Sequence, residues 1–302
     1  VVLVMAAGRM LARRGVVSPG AFAQINKAIY WTAIPALILR MTSMADMSAL
    51  ADRNMVVAVY LSFLAAPPAA WLIGKLAGQE RRRTASSTLM VIRSNTVFVG
   101  LPVVTVAVGT LGVEVLSLYL AFTFIGYQII SISWAQLALS GGISWNTVKG
   151  TLKNMAKNPL VLSSLAGFTL AVTGLNSFPV WLDETLKLLG NIASGTALLS
   201  LGATLKLEAL TSMLPRAWRD VILKLIFLPA LTWGLFLLFP VNPLVFRTVV
   251  LIAAMPVAVD CFILSQVLEM DPDQSAAAIT ASTLLSGLTV PLWITLLDAF
   301  LI

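Results

Sequence analysis

The sequence has no histidine, only one cysteine and few charged residues. Without histidine, imidazole-ligated zinc or haem and a Ser-His-Asp catalytic triad are excluded. The single cysteine, Cys261, excludes an internal disulfide framework and a cysteine-rich metal site. Charged residues make up 11% of the chain and apolar residues 59%, whereas soluble domains average about 25% and about 45–50%. This combination is typical of a protein surrounded by lipid.

The apolar residues form long runs that predict membrane-spanning helices. Runs such as 115–139 and 244–268 are long enough to cross a bilayer, which takes about 20 helical residues. They lack the alternation of a transmembrane β-barrel, so an all-α membrane protein is predicted. About ten helices are predicted, at residues 1–12, 24–42, 54–77, 85–109, 115–139, 158–177, 186–205, 217–239, 244–268 and 275–299. We interpret the first as a truncated helix that starts before Val1, not as a signal peptide, because no small-residue cleavage site follows.

Basic residues are distributed unevenly among the connections, and this predicts the orientation. Most of the 20 Lys and Arg residues lie in or beside odd-numbered connections, and loops rich in such residues stay in the cytoplasm. They are Arg9, Arg13, Arg14, Lys27, Lys75, Arg81, Arg82, Arg83, Lys149, Lys153, Lys157, Lys206, Arg216, Arg219 and Lys224. The even-numbered connections carry Arg40, Arg53, Lys187 and Arg247. Both termini are therefore predicted outside, and the net charge of +7 is attributed to orientation rather than to nucleic-acid binding.

The chain is predicted to consist of two similar halves. Residues 1–139 and 158–302 each hold five predicted helices, and the polar segment 140–157 between them is predicted to be a cytoplasmic linker. An odd number of helices per half inverts the second half relative to the first, as in many secondary transporters. The features that match between the halves are the glycine pairs Gly8/Gly15 and Gly167/Gly174 and the proline breaks Gly100-Leu101-Pro102 and Met255-Pro256-Val257.

A series of short motifs runs in order over nearly the whole chain. They are Ala33-Ile34-Pro35-Ala36-Leu37, Ser94-Asn95-Thr96-Val97-Phe98-Val99-Gly100-Leu101-Pro102, Lys157-Asn158-Pro159-Leu160, Leu201-Gly202-Ala203 and Ser282-Thr283-Leu284-Leu285-Ser286. The series resembles the auxin efflux carrier family in its bacterial branch. The resemblance implies two inverted five-helix repeats, with predicted helices 4 and 9 crossing at their prolines. It also implies a scaffold of predicted helices 1, 2, 6 and 7 beside a mobile core of 3–5 and 8–10.

The same resemblance implies a place and a class of substrate. Plant members export the carboxylate hormone auxin, and bacterial members are associated with malonate- or malate-like carboxylates. A multi-pass protein of the bacterial inner membrane is therefore expected, with a small organic anion as its substrate. A homodimer formed through the scaffold helices is a further expectation.

The two proline breaks are the candidate substrate site. A proline inside a helix frees backbone amides and carbonyls, which in lipid require a ligand or a water-filled cavity. Helix N-termini at such breaks carry partial positive charge suited to a carboxylate. Gly100, Pro102 and Pro256 are therefore predicted to bind substrate, and a plain kink is the alternative for either proline alone.

Two charged residues are predicted to lie deep in the helices near these breaks. Asp260 is expected to face a cavity or a partner, because a charge in lipid costs at least about 2.5–3.5 kcal/mol. There it would couple transport to an ion by carrying a proton; the alternative is a structural carboxylate that pairs with a base or caps the broken helix. Arg93 is either its partner, a ligand of the substrate carboxylate, or a side chain that snorkels to the surface.

Amide side chains complete the candidate site. Asn95 and Gln128 can donate hydrogen bonds to a carboxylate, and bonds to neighbouring helices are the alternative. Asn191 and Gln266 are weaker candidates of the same kind. Cys261 is expected to be a small packing residue.

Together these features predict a secondary active transporter rather than an enzyme. It would move a mono- or dicarboxylate by efflux or exchange through alternating access, coupled to H+ or Na+ and without a cofactor. A channel is disfavoured because no continuous polar lining is visible, and an enzyme because Asp260 is the only carboxylate expected deep in a helix. A receptor that uses the same pocket without transport is left open.

Overall fold

A computed structural model describes residues 2–44, 53–141, 149, 153, 156–175, 177–204 and 207–301. In the first half the helices are α1 (Val2–Arg13), α2 (Pro19–Trp31), α3 (Ala33–Ser43), α4 (Arg53–Leu76), α5 (Arg81–Met90), α6 (Leu101–Ala107) and α7 (Thr110–Ser140). In the second half they are α8 (Pro159–Val172), α9 (Val180–Thr204), α10 (Leu207–Ile222), α11 (Leu228–Leu238), α12 (Pro243–Ala253), α13 (Asp260–Val267) and α14 (Pro272–Leu301). Most of the predicted linker 140–157, and Lys206, lie outside the described residues.

The described residues confirm an all-helical chain that contains membrane-length helices. Helix α4, the continuous stretch 215–238 and helix α14 are long and apolar enough to cross a membrane. Helix α7 is a fourth when its two parts, which meet at a bend of 46°, are taken as one span. Several of the remaining predicted spans are divided into shorter helices, because the chain breaks inside them.

Serine or asparagine followed by proline starts three of these helices. The side chains of Ser18, Asn158 and Asn242 each accept a hydrogen bond from a backbone N–H in the first turn, at 2.9–3.2 Å. A proline follows each cap, where its fixed φ suits a helix and its missing N–H would have had no helical partner. These three starts are therefore specified locally by the sequence.

The helices pack into two bundles. The smaller bundle consists of α1, α2, α3, α8 and α9, and the larger bundle consists of α4–α7 and α10–α14. Glycine permits close approach in the smaller bundle, since a Cβ on Gly8 would lie 2.0 Å from the Leu199 carbonyl oxygen and one on Gly167 2.8 Å from that of Leu39. Contacts of α7 with α3 and α8, and of α13 with α2 and α9, join the bundles.

The larger bundle contains two broken helices. The second break, residues 254–259, separates α12 from α13 and is explained by Pro256, which lacks an N–H and disfavours helical geometry in Met255. The first break, residues 91–95, follows α5 and leads through a π-helical segment, Thr96–Gly100, into α6.

The predicted position of the break at Gly100-Leu101-Pro102 is therefore wrong. The chain leaves the helix at residues 91–95, while Pro102 lies in the first turn of α6. The helical run is continuous from Thr96 to Ala107, and Pro102 lies inside it, just after the π-helical segment gives way to α-helix. The change of hydrogen-bond register at this point accommodates the missing proline N–H, so Pro102 does not separate two helices.

Candidate functional site

The two breaks meet in the middle of the larger bundle and form an isolated antiparallel β-bridge. Ser94 bridges Val257; the Asn95 N–H donates to the Pro256 carbonyl at 2.8 Å, and the Ala258 N–H donates to the Arg93 carbonyl at 2.9 Å. Backbone groups freed by one break are thus satisfied by the other. The crossing of the two helices lies at residues 93–95 and 256–258.

Arg93 lies in this crossing and is fully buried. Its Nη2 donates to the Asp260 carboxylate, while Nη1 donates to Gln128 Oε1 at 2.7 Å and to Ser131 Oγ at 3.1 Å. The guanidinium carbon lies 4.7 Å from the centroid of the Tyr127 ring. The snorkelling alternative is therefore wrong, because these contacts hold the guanidinium inside the bundle.

Asp260 is the first residue of α13 and is held between Arg93 and a cavity. Its Oδ2 pairs with Arg93, and its side chain is 26% exposed. Its Oδ1 has no hydrogen-bond partner among the described residues. One carboxylate oxygen is thus committed to the guanidinium, while the other is an acceptor that is itself buried, so the exposed part of the side chain lies elsewhere on the residue.

The cavity lies between the two bundles, beside the crossing. It encloses about 930 Å³ including its opening. Its apolar wall is formed by Ile34, Leu37, Ile38, Met41, Phe63, Ile92, Leu120, Phe124, Ala258, Val259 and Ile263. Its polar groups belong to Ser94, Asn95, Thr96, Tyr119, Thr123, Tyr127, Gln128 and Asp260. An apolar pocket with a few convergent polar groups is the usual form of a small-molecule site.

The structure brings most of the predicted site residues together. Asn95, Gln128 and Asp260 line the cavity, and Arg93 lies directly behind Gln128 and Asp260. Pro256 supplies the carbonyl that accepts from Asn95, so it shapes the crossing. Gly100 packs against the second break, where a Cβ would lie 3.4 Å from Met255 Cγ.

The weaker candidates are elsewhere. Asn191 is exposed on α9. Gln266 Oε1 accepts from Asn26 Nδ2 at 2.9 Å, and Asn26 Nδ2 also donates to Ser200 Oγ at 2.6 Å, which links α13 to α2 and α9. Cys261 is buried in the apolar core beside the crossing.

Sequence reasoning missed the burial of Lys224 and Asp220. The charge pattern predicts Lys224 at a cytoplasmic flank, but it is fully buried, and its Nζ donates to Ser94 Oγ at 2.6 Å and to the Ala253 carbonyl at 3.1 Å. Asp220 is buried in α10 and accepts from Gln274, so the expectation that Asp260 is the only deep carboxylate is wrong. The sequence does carry a signal for Lys224, because this lysine lies within the apolar run 217–239.

Comparison with known proteins agrees with this architecture. Residues 1–294 match the family model described as "Membrane transport protein". A protein of Rhizobium meliloti (strain 1021) named "Putative malonate transporter" is 27% identical over 294 residues, which cover 93% of this chain and 88% of that protein. An "Uncharacterized transporter" of Methanothermobacter thermautotrophicus (strain Delta H) is 26% identical over 301 residues, covering 97% and 95%.

The family match covers almost the entire chain, including both breaks and every helix that lines the cavity. The resemblance to the auxin efflux carriers is thereby confirmed, as is the prediction of a membrane transporter rather than an enzyme. The chain belongs to this family of membrane transport proteins.

Proposed function

We propose that the chain is a secondary active transporter that moves a small organic anion, such as a mono- or dicarboxylate, by alternating access. The observation that carries this proposal is the cavity between the two bundles, whose inner end lies at the crossing beside the Arg93–Asp260 pair. A carrier needs a site that two moving bodies can share. The substrate class also agrees with the name of the Rhizobium meliloti relative.

The fold of the carrier is proposed to be two inverted repeats of five spans. The similar order of helices in the halves supports this proposal. A 24-residue helical stretch, a broken helix and a helix of 30 or 31 residues follow one another in each half, at 53–140 and 215–301. The smaller bundle would then be the scaffold and the larger bundle the mobile core, in the bacterial inner membrane with both termini outside.

The electrostatics of the cavity favour an anion that bears a carboxylate. Helix α13 begins at Asp260, so its partly positive N-terminal end is directed at the cavity edge. Gln128 and Asn95 line the same cavity and carry amide groups of the kind that can donate to a carboxylate. The fully buried guanidinium of Arg93 adds a positive charge that low-dielectric surroundings screen weakly.

Asp260 is proposed to couple transport to a proton. While ionised, its carboxylate neutralises Arg93 and repels an anion from the cavity. A proton on Asp260 would remove that negative charge, so the field of Arg93 would favour the substrate carboxylate. Proton and anion would then bind together and leave together, which is the requirement for coupled movement.

The test is counterflow and uptake of a labelled dicarboxylate panel that includes malonate, in proteoliposomes with imposed H+ or Na+ gradients. We expect one acid to be moved, driven by the proton gradient. Asp260→Asn should retain counterflow and lose the response to the proton gradient. Asp298→Asn is the matched control, because Asp298 also pairs with an arginine, Arg247, at 2.7 Å, but neither residue lines the cavity.

Two outcomes would overturn parts of the proposal. If ligands bind but no acid is moved under either gradient, the transporter proposal fails and a receptor takes its place. If Asp260→Asn keeps its proton response, or if Asp298→Asn loses it equally, the coupling role of Asp260 fails although transport stands.

A further inference from the structure

Lys224 is a fully buried lysine whose position in the crossing is not explained by substrate binding. It lies in the π-helical segment Leu223–Phe227 between α10 and α11. Its Nζ contacts Ser94 Oγ at 2.6 Å in the first break and the Ala253 carbonyl oxygen at 3.1 Å at the end of α12. Within the described part of the chain, no carboxylate oxygen lies within 4 Å of Nζ.

These partners differ from those of an ordinary buried lysine. Buried charges are normally paired with an opposite charge, because removing an ion from water is costly. The oxygens around Lys224 are instead a neutral hydroxyl and a carbonyl at the C-terminal end of a half-helix, where the helix dipole is negative. Unwound backbone carbonyls and the C-terminal ends of half-helices coordinate Na+ in many secondary transporters.

We propose that the ammonium group of Lys224 is a tethered cation that occupies the place of a coupling sodium ion between the two breaks. It stabilises the C-terminal end of α12 and fixes Ser94, which lines the cavity next to Asn95. Lys224 is thus a positioning residue for the crossing. Because the cation is part of the chain, this site needs no sodium; the consequence for transport rests on the function proposed above.

The two buried cations, Arg93 and Lys224, have different partners in the crossing. Arg93 faces α7 and pairs with Asp260. Lys224 reaches the crossing from the π-helical segment and donates to the hydroxyl of Ser94, the residue next to Arg93. Neighbouring residues of an extended segment direct their side chains to opposite faces. Loss of Lys224 should therefore leave the Arg93–Asp260 pair in place and leave an oxygen-lined gap behind Ser94.

The experiment measures the melting temperature of the purified protein in sodium chloride and in N-methylglucamine chloride at equal ionic strength. The wild type should melt at the same temperature in both salts. Lys224→Ala should melt lower in N-methylglucamine and regain about 2 °C in sodium, the shift given by a cation at about ten times its dissociation constant. Lys224→Met, whose side chain fills the gap, should show no sodium response.

Controls identify the ligands and the specificity of the effect. Adding Ser94→Ala to Lys224→Ala should abolish the sodium response, because one of the two coordinating oxygens is gone. Lys187→Ala removes an exposed lysine paired with Glu184 and should give no cation-specific shift. No substrate is needed, so these melting data hold even if the chain moves no acid.

Three results would overturn the proposal. The first is a wild type stabilised by sodium as strongly as Lys224→Ala. The second is a folded Lys224→Ala that melts identically in both salts. The third is a tenfold or greater fall in wild-type transport when sodium is replaced by N-methylglucamine. This measurement tests the proposal even if Lys224→Ala does not fold.

Discussion

The first and second breaks reach the same crossing by different means. The second break contains Pro256, so the chain itself forbids a continuous helix there. The first break contains no proline or glycine, and its conformation depends on groups from the other half of the chain. These are the Pro256 carbonyl, the Ala258 N–H, the Asp260 carboxylate and the Lys224 ammonium.

The difference teaches where the stability of the crossing resides. Covalent geometry fixes the second break even when its partners change. Tertiary contacts fix the first break, so their loss allows residues 91–95 to rearrange. Substitutions in the first break's contacts should therefore cost stability, whereas substitutions at Pro256 should affect mainly the shape of the site.

Removing the Arg93 guanidinium should have the largest effect. Arg93→Met loses the bonds to Asp260, Gln128 and Ser131 and leaves Asp260 without its partner. Breaking a buried ion pair from one side costs about 3–5 kcal/mol, and we expect the lower end because Asp260 is partly exposed. The measurement is the unfolding free energy in detergent, alongside transport.

The double variant Arg93→Met with Asp260→Asn sharpens this prediction. It also removes the Asp260 negative charge, which Arg93→Met alone leaves without its partner. The double variant should therefore recover part of the lost stability without recovering transport. Equal stability of the single and double variants would show that the cost comes from packing and not from the ion pair.

Changing Pro256 should have an intermediate effect, mainly on transport. Pro256→Ala keeps the carbonyl that accepts from Asn95, and the unfolded chain gains freedom worth about 0.4–1 kcal/mol. The new N–H allows α12 to extend into the second break, which displaces Asp260 from the cavity. We expect transport to fall at least about tenfold, corresponding to about 1.4 kcal/mol, with a small change in stability.

A proline at the start of the same helix serves as the control for Pro256. Pro243 follows the cap Asn242, and its replacement by alanine leaves the second break unchanged. Pro243→Ala should therefore transport as the wild type does. A proportional loss of stability and transport in Pro256→Ala would contradict the separation of roles between the two breaks.

The contrast between the breaks also explains what the sequence could predict. Helical runs and the proline at the second break follow from local pattern, and the cost of charge in lipid makes the pairing of Arg93 with Asp260 one of three alternatives for Arg93. The first break could not be located, because its residues leave the helix for partners that lie far along the chain. Arg93 pairs with Asp260, 167 residues later, and Ser94 accepts from Lys224, 130 residues later. The prediction at Pro102 is wrong for a related reason, since a proline pattern does not distinguish a break between two helices from a proline that a continuous helical run accommodates.

Substitutions of Pro102 and Gly100, where the sequence predicted the first break, should have the smallest effects on stability and transport. Pro102→Ala changes a position just after the π-helical segment, where the helix continues without a break and alanine is a good helix former. In Gly100→Ala the new Cβ would lie 3.4 Å from Met255 Cγ and 3.5 Å from the Asn95 carbonyl oxygen, and a methionine side chain adapts readily. Each should cost less than about 1 kcal/mol and leave transport within about twofold of the wild type.

Gly8→Ala is the positive control for the loss of a glycine in close contact with a neighbouring helix backbone. Its Cβ would lie 2.0 Å from the Leu199 carbonyl oxygen, and backbone cannot move aside as a methionine does, so α1 and α9 would separate and the melting temperature should fall sharply. If Gly100→Ala fell as far as Gly8→Ala, the first break would depend on contact at Gly100 as well as on Arg93 and Lys224. If only Gly8→Ala fell, the crossing would owe its shape to residues 93–95 and 256–258, where the two breaks exchange their backbone hydrogen bonds.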